Sequence, residues 1–189
     1  TEDGSISGAT YTTDSQVGTY ALSFDGADDS VGPFTNSAYS FTNNFSLSAW
    51  VKINTDETRN PILVKGFDRA VDSQVDYSLT VGGDRYQIKV SDGSNSNKVN
   101  ISGNTTGVWK HLCGTYDGSQ LKLYIDGVEE GSVSSSINIA DNWDLHHGSS
   151  TASRGTSYFN GIIDDPRIYS KALTATEADN LYNTGSISG

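Results

Sequence analysis

Gly161–Tyr169, GIIDDPRIY, runs without a break into residues 170–185, SKALTATEADNLYNTG, and this junction decides the fold. The second half reads as a short helix. Thr174 can cap its start with Glu177 three residues on, Leu173 and Ala178 sit at the staple positions, and Gly185 follows as a stop. The first half reads as a strand, because Ile162, Ile163, Ile168 and Tyr169 are apolar and β-favouring. Pro166 interrupts it: with no N–H to donate, it needs an edge, a bulge or an unpaired position. Asp164 and Asp165 precede it, and a bulge beside two acids would aim a carboxylate at something.

A late strand of this kind needs others to close against, and the chain supplies them. Tyr20–Asp25 alternates and ends in the turn GADDS. Phe45–Ile53 places Phe45, Leu47, Ala49, Val51 and Ile53 on one face, with Ser46, Ser48, Trp50 and Lys52 on the other, a strand period with nothing helical in it. Short strands follow at Ile62–Lys65, Tyr77–Val81, Tyr86–Val90 and Lys98–Ile101, separated by Gly, Asp and Asn turns. In Val108–Gly131 two Asp-Gly turns, at Asp117 and Asp126, divide three alternating runs into an antiparallel meander. Leu121, Leu123 and Ile125 face its core; Lys122 and Tyr124 face away. Residues 134–157 form a polar loop-strand-loop. Many short strands and one terminal helix make an all-β, two-sheet antiparallel sandwich.

Bulk properties agree. A chain of 189 residues suits one sandwich domain with a core of its own. Cys113, the single cysteine, cannot pair internally and reads as a buried small hydrophobe. No apolar run is long enough to cross a bilayer as a helix, and Thr1–Thr13 carries no signal-peptide pattern. The net charge is -11, and aspartate supplies 18 of the 23 acids, as in turn-rich β-proteins where Asp bonds its own backbone. That charge repels phosphate, so nucleic acid and anionic membranes are excluded as expected partners. The string GSISG occurs at Gly4–Gly8 and again at Gly185–Gly189. Read as a repeat rather than a chance recurrence in a chain with 20 glycines, it divides the chain into a linker-like segment with a first edge strand (1–19), a domain (20–185) and a linker toward a next repeat (186–189), the expectation for a tandem array.

The segments ALSFDG (21–26), FSLSAWVKI (45–53), ILVKG (62–66), VWKHLCGTYDGSQLKLYIDG (108–127) and YFNGIIDDPRIYSKALTATEADNLYNTG (158–185) together resemble the laminin-G-like jelly roll of the concanavalin A-like lectin and glucanase superfamily. The resemblance implies two packed antiparallel sheets, a structural calcium and a binding or adhesion role in a secreted or cell-surface protein. Pro166 and His147 depart from the aliphatic residues usual at their positions. Because the first and last strands of such a jelly roll are neighbours, Asp25 and Asp165 are the expected leading calcium ligands, with Asp28 third. Asp29 shares their turn. Gathered carboxylates repel one another without a cation, so the calcium is expected to be structural.

The spacing Asp68, Asp72, Asp76 reads as an ordinary solvated loop. Trp109 and His111 are expected inside a strand, as structure; Trp50 points away from the core face, beneath a loop or on a concave surface. Trp143, His146, Arg154 and Tyr158 lie in or beside a polar loop and read either as a glycan site, an aromatic stacking surface with hydrogen-bonding side chains, or as structure, with Trp143 capping an end of the core and the histidines on the surface. His146-His147 is not a metal pair, since consecutive strand residues face opposite ways. Glycoside hydrolysis with retention needs two carboxyls about 5 to 5.5 Å apart. Glu2, Glu57, Glu129, Glu130 and Glu177 form no such pair on a strand, and no other catalytic motif is present. The chain thus reads as a non-catalytic carbohydrate-binding module; the GSISG repeat keeps open an adhesion or spacer domain packed against neighbouring copies.

Overall fold

A computed structural model describes residues 4–35, 37–56, 59–66, 75–103, 106–150 and 157–188. Among these, the strands in chain order are β1 (Ile6–Ser7), β2 (Thr10–Thr12), β3 (Ala21–Asp25), β4 (Ser30–Phe34), β5 (Phe45–Ile53), β6 (Asn60–Gly66) and β7 (Val75–Val81). They continue as β8 (Arg85–Ser91), β9 (Ser96–Ser102), β10 (Lys110–Tyr116), β11 (Gln120–Ile125), β12 (Val128–Ser134), β13 (Leu145–His147) and β14 (Asn160–Tyr169), followed by helix α1 (Ala175–Thr184). One sheet has the order β1-β4-β13-β6-β7-β8-β9 and the other β12-β11-β10-β5-β14-β3-β2. Every ladder between these strands is antiparallel, which completes the jelly-roll sandwich with its short C-terminal helix.

The core follows from the alternation in β5. Phe45, Leu47, Ala49, Val51 and Ile53 are fully buried between the sheets. Phe45 sits 4.9 Å from Tyr77 and 6.1 Å from Tyr116, centroid to centroid, with Phe41 stacked on it at 5.9 Å. Aromatic pairs of this kind contribute about 0.5–1.5 kcal/mol each beyond their buried area. The buried phenols keep partners: Tyr77 donates to the carbonyl of Tyr39 at 2.8 Å, and Tyr116 to that of Ile137 at 2.8 Å.

Helix α1 packs on the outside of the second sheet and accounts for the residues that face away from the core. Thr174 and Glu177 form the capping box, and Gly185 ends the helix at φ 67°. Leu173, Ala178 and Leu181 cover Cys113 and Tyr124 in a second apolar cluster. Trp50 packs in tilted contact against Tyr182 of the helix at 5.4 Å and against His111 at 5.3 Å. Trp50 is therefore a helix-docking residue. Burial pushes the Cys113 thiol up to about 12 and the His111 imidazole down to about 4.

Pro166 sits in the expected bulge. Between Asp164, opposite Trp50, and Arg167, opposite Ser48, β14 carries one residue more than β5, and Asp165 has φ 47°. The aspartate-rich composition resolves into turns: Asp117 Oδ1 accepts from the backbone N–H of Ser119 and Gln120, and Asp92 Oδ1 from those of Ser94 and Asn95. Ser30–Phe34, β4, holds Gly32 and Pro33, both strand-weakening residues, and sequence reasoning passed over it.

Candidate functional site

Two groups of polar side chains stand out, an acidic corner at the end of β3 and a cleft around Trp143. In the corner, Asp25, Asp28 and Asp29 each bring one carboxylate oxygen within 4.8 Å of the others. Local bonds fix two of them: Asp29 Oδ2 accepts from the Asp25 N–H at 2.8 Å, and Asp25 Oδ1 from the Ala27 N–H at 2.7 Å. Asp29 is buried beneath Gly8, where an added Cβ would fall 1.9 Å from its Oδ1. Three hard oxygen donors at this spacing suit calcium, which takes carboxylates, carbonyls and water.

The neighbouring-strand expectation holds, since β14 pairs with β3, but the register sends the acids of β14 elsewhere. Asn160, not an aspartate, faces Asp25, and Asp165 lies five residues further along (165 − 160), roughly 15 Å of strand. Asp165 instead accepts from Arg167 Nε at 2.9 Å. The buried Asp164 accepts from the backbone N–H of Gln16 at 2.6 Å and Val17 at 2.8 Å, pinning the N-terminal segment across the sheet. The acid set of the corner is thus Asp25, Asp28 and Asp29, with Asp165 outside it.

The cleft, about 260 Å³, is lined by Phe34, Thr35, Ser37, Ser40, Lys65, Asp141, Asn142, Trp143 and Asp144. Its floor is an ionic knot. Lys65 Nζ donates to Asp76 at 3.1 Å and to Asp141, and Ser40 Oγ donates to Asp141 at 2.9 Å. Asp76 Oδ2 also accepts from the backbone N–H of Asn142 at 3.0 Å and of Trp143 at 3.3 Å, so it holds the loop that presents the half-buried indole. Desolvation raises the Asp76 carboxyl above its usual range against the hydrogen bond from Lys65; the bonds from Lys65 and then Ser40 lower that of Asp141. An aromatic face beside carboxylate, amide, hydroxyl and ammonium groups offers both stacking and hydrogen bonds to a hydroxyl-rich ligand.

Of the four residues expected around a glycan, the cleft contains Trp143. His146 lies on β13 between inward-facing Leu145 and His147, so its buried ring points to the outer face, where Nε2 has no hydrogen-bond partner among the described residues. Tyr158, half-buried, forms an isolated bridge with Ser149, and neither it nor His146 lines the cleft. Arg154 lies outside the described residues, as do Asp68 and Asp72. Asp76 is 1% exposed on β7, a structural anion rather than a solvated-loop residue. Lys65, Asp76 and Asp141 were missed as site residues. A lysine inside the apolar run ILVKG (62–66) was the signal, because a lysine in a central strand needs a buried counter-charge. Trp109 is half-buried just before β10, where its Nε1 donates to Asp14 at 3.0 Å and Lys52 lies over its ring, and His111 is buried, both as structure.

Residues 10–179 match the laminin-G-like family of the concanavalin A-like lectin/glucanases superfamily, and the chain belongs to that family. No curated protein sequence matches the chain. Solved structures share the architecture at low identity. The binding domain of Paraclostridial mosquitocidal protein 1 superposes with a TM-score of 0.68 at 15% identity, over 95% of this chain and 46% of that one. The binding domain of botulinum neurotoxin DC in complex with SialylT gives 0.67 at 15% over 96% and 46%. A botulinum neurotoxin type C structure, described by the dependence of cell entry on two ganglioside molecules, gives 0.65 at 16% over 96% and 46%. The chain spans under half the length of these structures, and at such identity the likeness is one of fold, to binding domains. No helix among the described residues is long and apolar enough to cross a membrane.

Proposed function

We propose that this domain is a non-catalytic carbohydrate-binding module of a secreted or cell-surface multidomain protein, with its glycan in the Trp143 cleft and a structural calcium at Asp25, Asp28 and Asp29. The observation that carries the reading is the coupling of Trp143 to Asp76. The buried carboxylate bonds the backbone of Asn142 and Trp143, so the loop that carries a half-buried indole is tied down at its backbone beside Asp141, Asn142 and Ser40. Pre-organised aromatic and polar groups of this kind lower the ordering cost of binding. The gangliosides and SialylT of the similar structures support the same ligand class. A non-catalytic role accords with the glutamates: Glu129 bonds Lys122 and Tyr124, and Glu177 caps the helix.

The test is Trp143→Ala measured against the polysaccharide the wild type binds. Loss of a central aromatic contact weakens binding by about 30-fold or more, while unfolding stays cooperative. Unchanged affinity in a folded variant removes the cleft from the reading. A second reading, an adhesion or spacer domain in a tandem array, is favoured by GSISG. The first copy supplies β1 on β4, with Gly4 against the Phe34 ring, and the second copy begins at the helix cap Gly185.

A further inference from the structure

The charges around the Trp143 cleft narrow what its glycan can be. Lys65 is the one cation among the lining residues, its side chain is 4% exposed, and its Nζ is already engaged by Asp76 and Asp141. Burial lowers the His146 imidazole, which feels the charge of Asp144, below its ordinary range, so it adds no positive charge at pH 7. One ammonium therefore answers three carboxylates, those of Asp76, Asp141 and Asp144. The two that line the cleft meet solvent: Asp144 is exposed, and the Asp141 side chain is 57% exposed. The bonds from Lys65 and Ser40 both fall on Asp141 Oδ1 and keep that carboxyl ionised by lowering it. Asp141 Oδ2 and both carboxylate oxygens of Asp144 have no hydrogen-bond partner among the described residues. Ionised carboxylates accept and cannot donate, so these oxygens call for a ligand that brings donors and positive charge.

We propose that the cleft takes an amino sugar, with a pyranose face on the Trp143 indole and the sugar's ammonium group on the carboxylates of Asp144 and Asp141; this rests on the reading of the cleft as the glycan site and names its ligand class. The ammonium supplies three donors and a positive charge to oxygens that lack both. An indole attracts a cation over its face as well as offering a surface to the sugar ring. The net charge of -11 draws a cationic chain toward the domain and repels an anionic one. A sialic acid, uronate or sulfated sugar meets the opposite case, two exposed carboxylates and no unengaged cation among the lining residues. A neutral sugar can donate its hydroxyls to the same oxygens, but it leaves their charge unanswered.

Isothermal titration of the intact chain compares three probes, the β-linked glucosamine tetramer, cellotetraose and sialyllactose. The two tetramers differ in carrying an ammonium or a hydroxyl on each ring. The glucosamine tetramer binds about tenfold more tightly than cellotetraose, the worth of one partly exposed ion pair and a cation–π contact together, and sialyllactose does not bind. Asp144→Asn, at an exposed side chain, removes most of that advantage; Trp143→Ala weakens both tetramers; added salt narrows the gap between them. A glucosamine preference that survives both variants overturns the proposal, because it marks attraction to the acidic surface at large. Equal affinities for the two tetramers, or tighter binding of sialyllactose, overturn the amino sugar and, where Trp143→Ala abolishes that binding, leave the carbohydrate module standing. Binding of none of the three also overturns the proposal, and the polysaccharide test of Trp143→Ala then decides the module by itself.

Discussion

Replacing Gly8 with alanine tests how the N-terminal segment builds the acidic corner. Gly8 has φ 78°, and an alanine Cβ would fall 1.9 Å from Asp29 Oδ1. Two costs add. The left-handed backbone costs alanine about 1 kcal/mol. The carboxylate must also move, which breaks the 2.8 Å bond from the Asp25 N–H, a charge-assisted bond worth about 1.5–3 kcal/mol. The sum is about 3 kcal/mol, or roughly 6–12 °C in Tm for a domain of this size. Gly18 is the control, because its φ is 71° but nothing lies within 4 Å of the added Cβ. Gly18→Ala carries the backbone cost alone, about 1 kcal/mol and roughly 2–4 °C. Any gain from a stiffer unfolded chain is common to both variants and cancels in the difference. Urea melts followed by tryptophan fluorescence read the two Cm values. Equal losses in the two variants would refute the packing of Gly8 on Asp29.

Chelation and re-addition of calcium test the corner itself. With a Kd of about 0.1 mM and 10 mM calcium, binding stabilises by about 2.7 kcal/mol, or roughly 5–10 °C, and a melt indifferent to calcium contradicts the structural cation. The buried histidines set a pH window. His111 and His147 fall to about 4 when folded, from an ordinary 6.5, so the unfolded chain binds more protons between those values and stability declines as pH falls through them. The slope is up to about 1.4 kcal/mol per pH unit for each, and His147→Phe removes one share of it in urea melts from pH 7 to 4. An unaltered slope in that variant refutes the burial of His147. Cys113, fully buried with its thiol at about 12, reacts with a thiol reagent only as fast as the domain opens. Immediate labelling of the native chain would contradict its place under α1.

The elements that sequence reasoning recovered are those where local chemistry and tertiary demand agree. The capping box of Thr174 and Glu177, the alternation of Phe45–Ile53 and the Pro166 bulge each follow from residues adjacent in the chain. Register is a tertiary quantity, and there the reading parted from the structure. That β3 and β14 pair was legible; that Asn160 rather than Asp165 faces Asp25 was not, because a ladder's offset depends on the whole sheet. The same holds for the cleft. Trp143 was visible as an aromatic in a polar loop, whereas Asp76 reaches it across 67 residues of chain (143 − 76). His146 was legible as part of a short strand between polar loops, but which way its ring faces was not, because the strand is only three residues long and its turn away from the cleft follows from its pairing with β6.

The most direct measurement of the central claim is a glycan array on the intact domain, run once in calcium and once in chelator. The account predicts binding to one class of polysaccharide that is lost in Trp143→Ala, with calcium acting through stability. An array blank in calcium, from a domain shown by its melt to be folded, would contradict it.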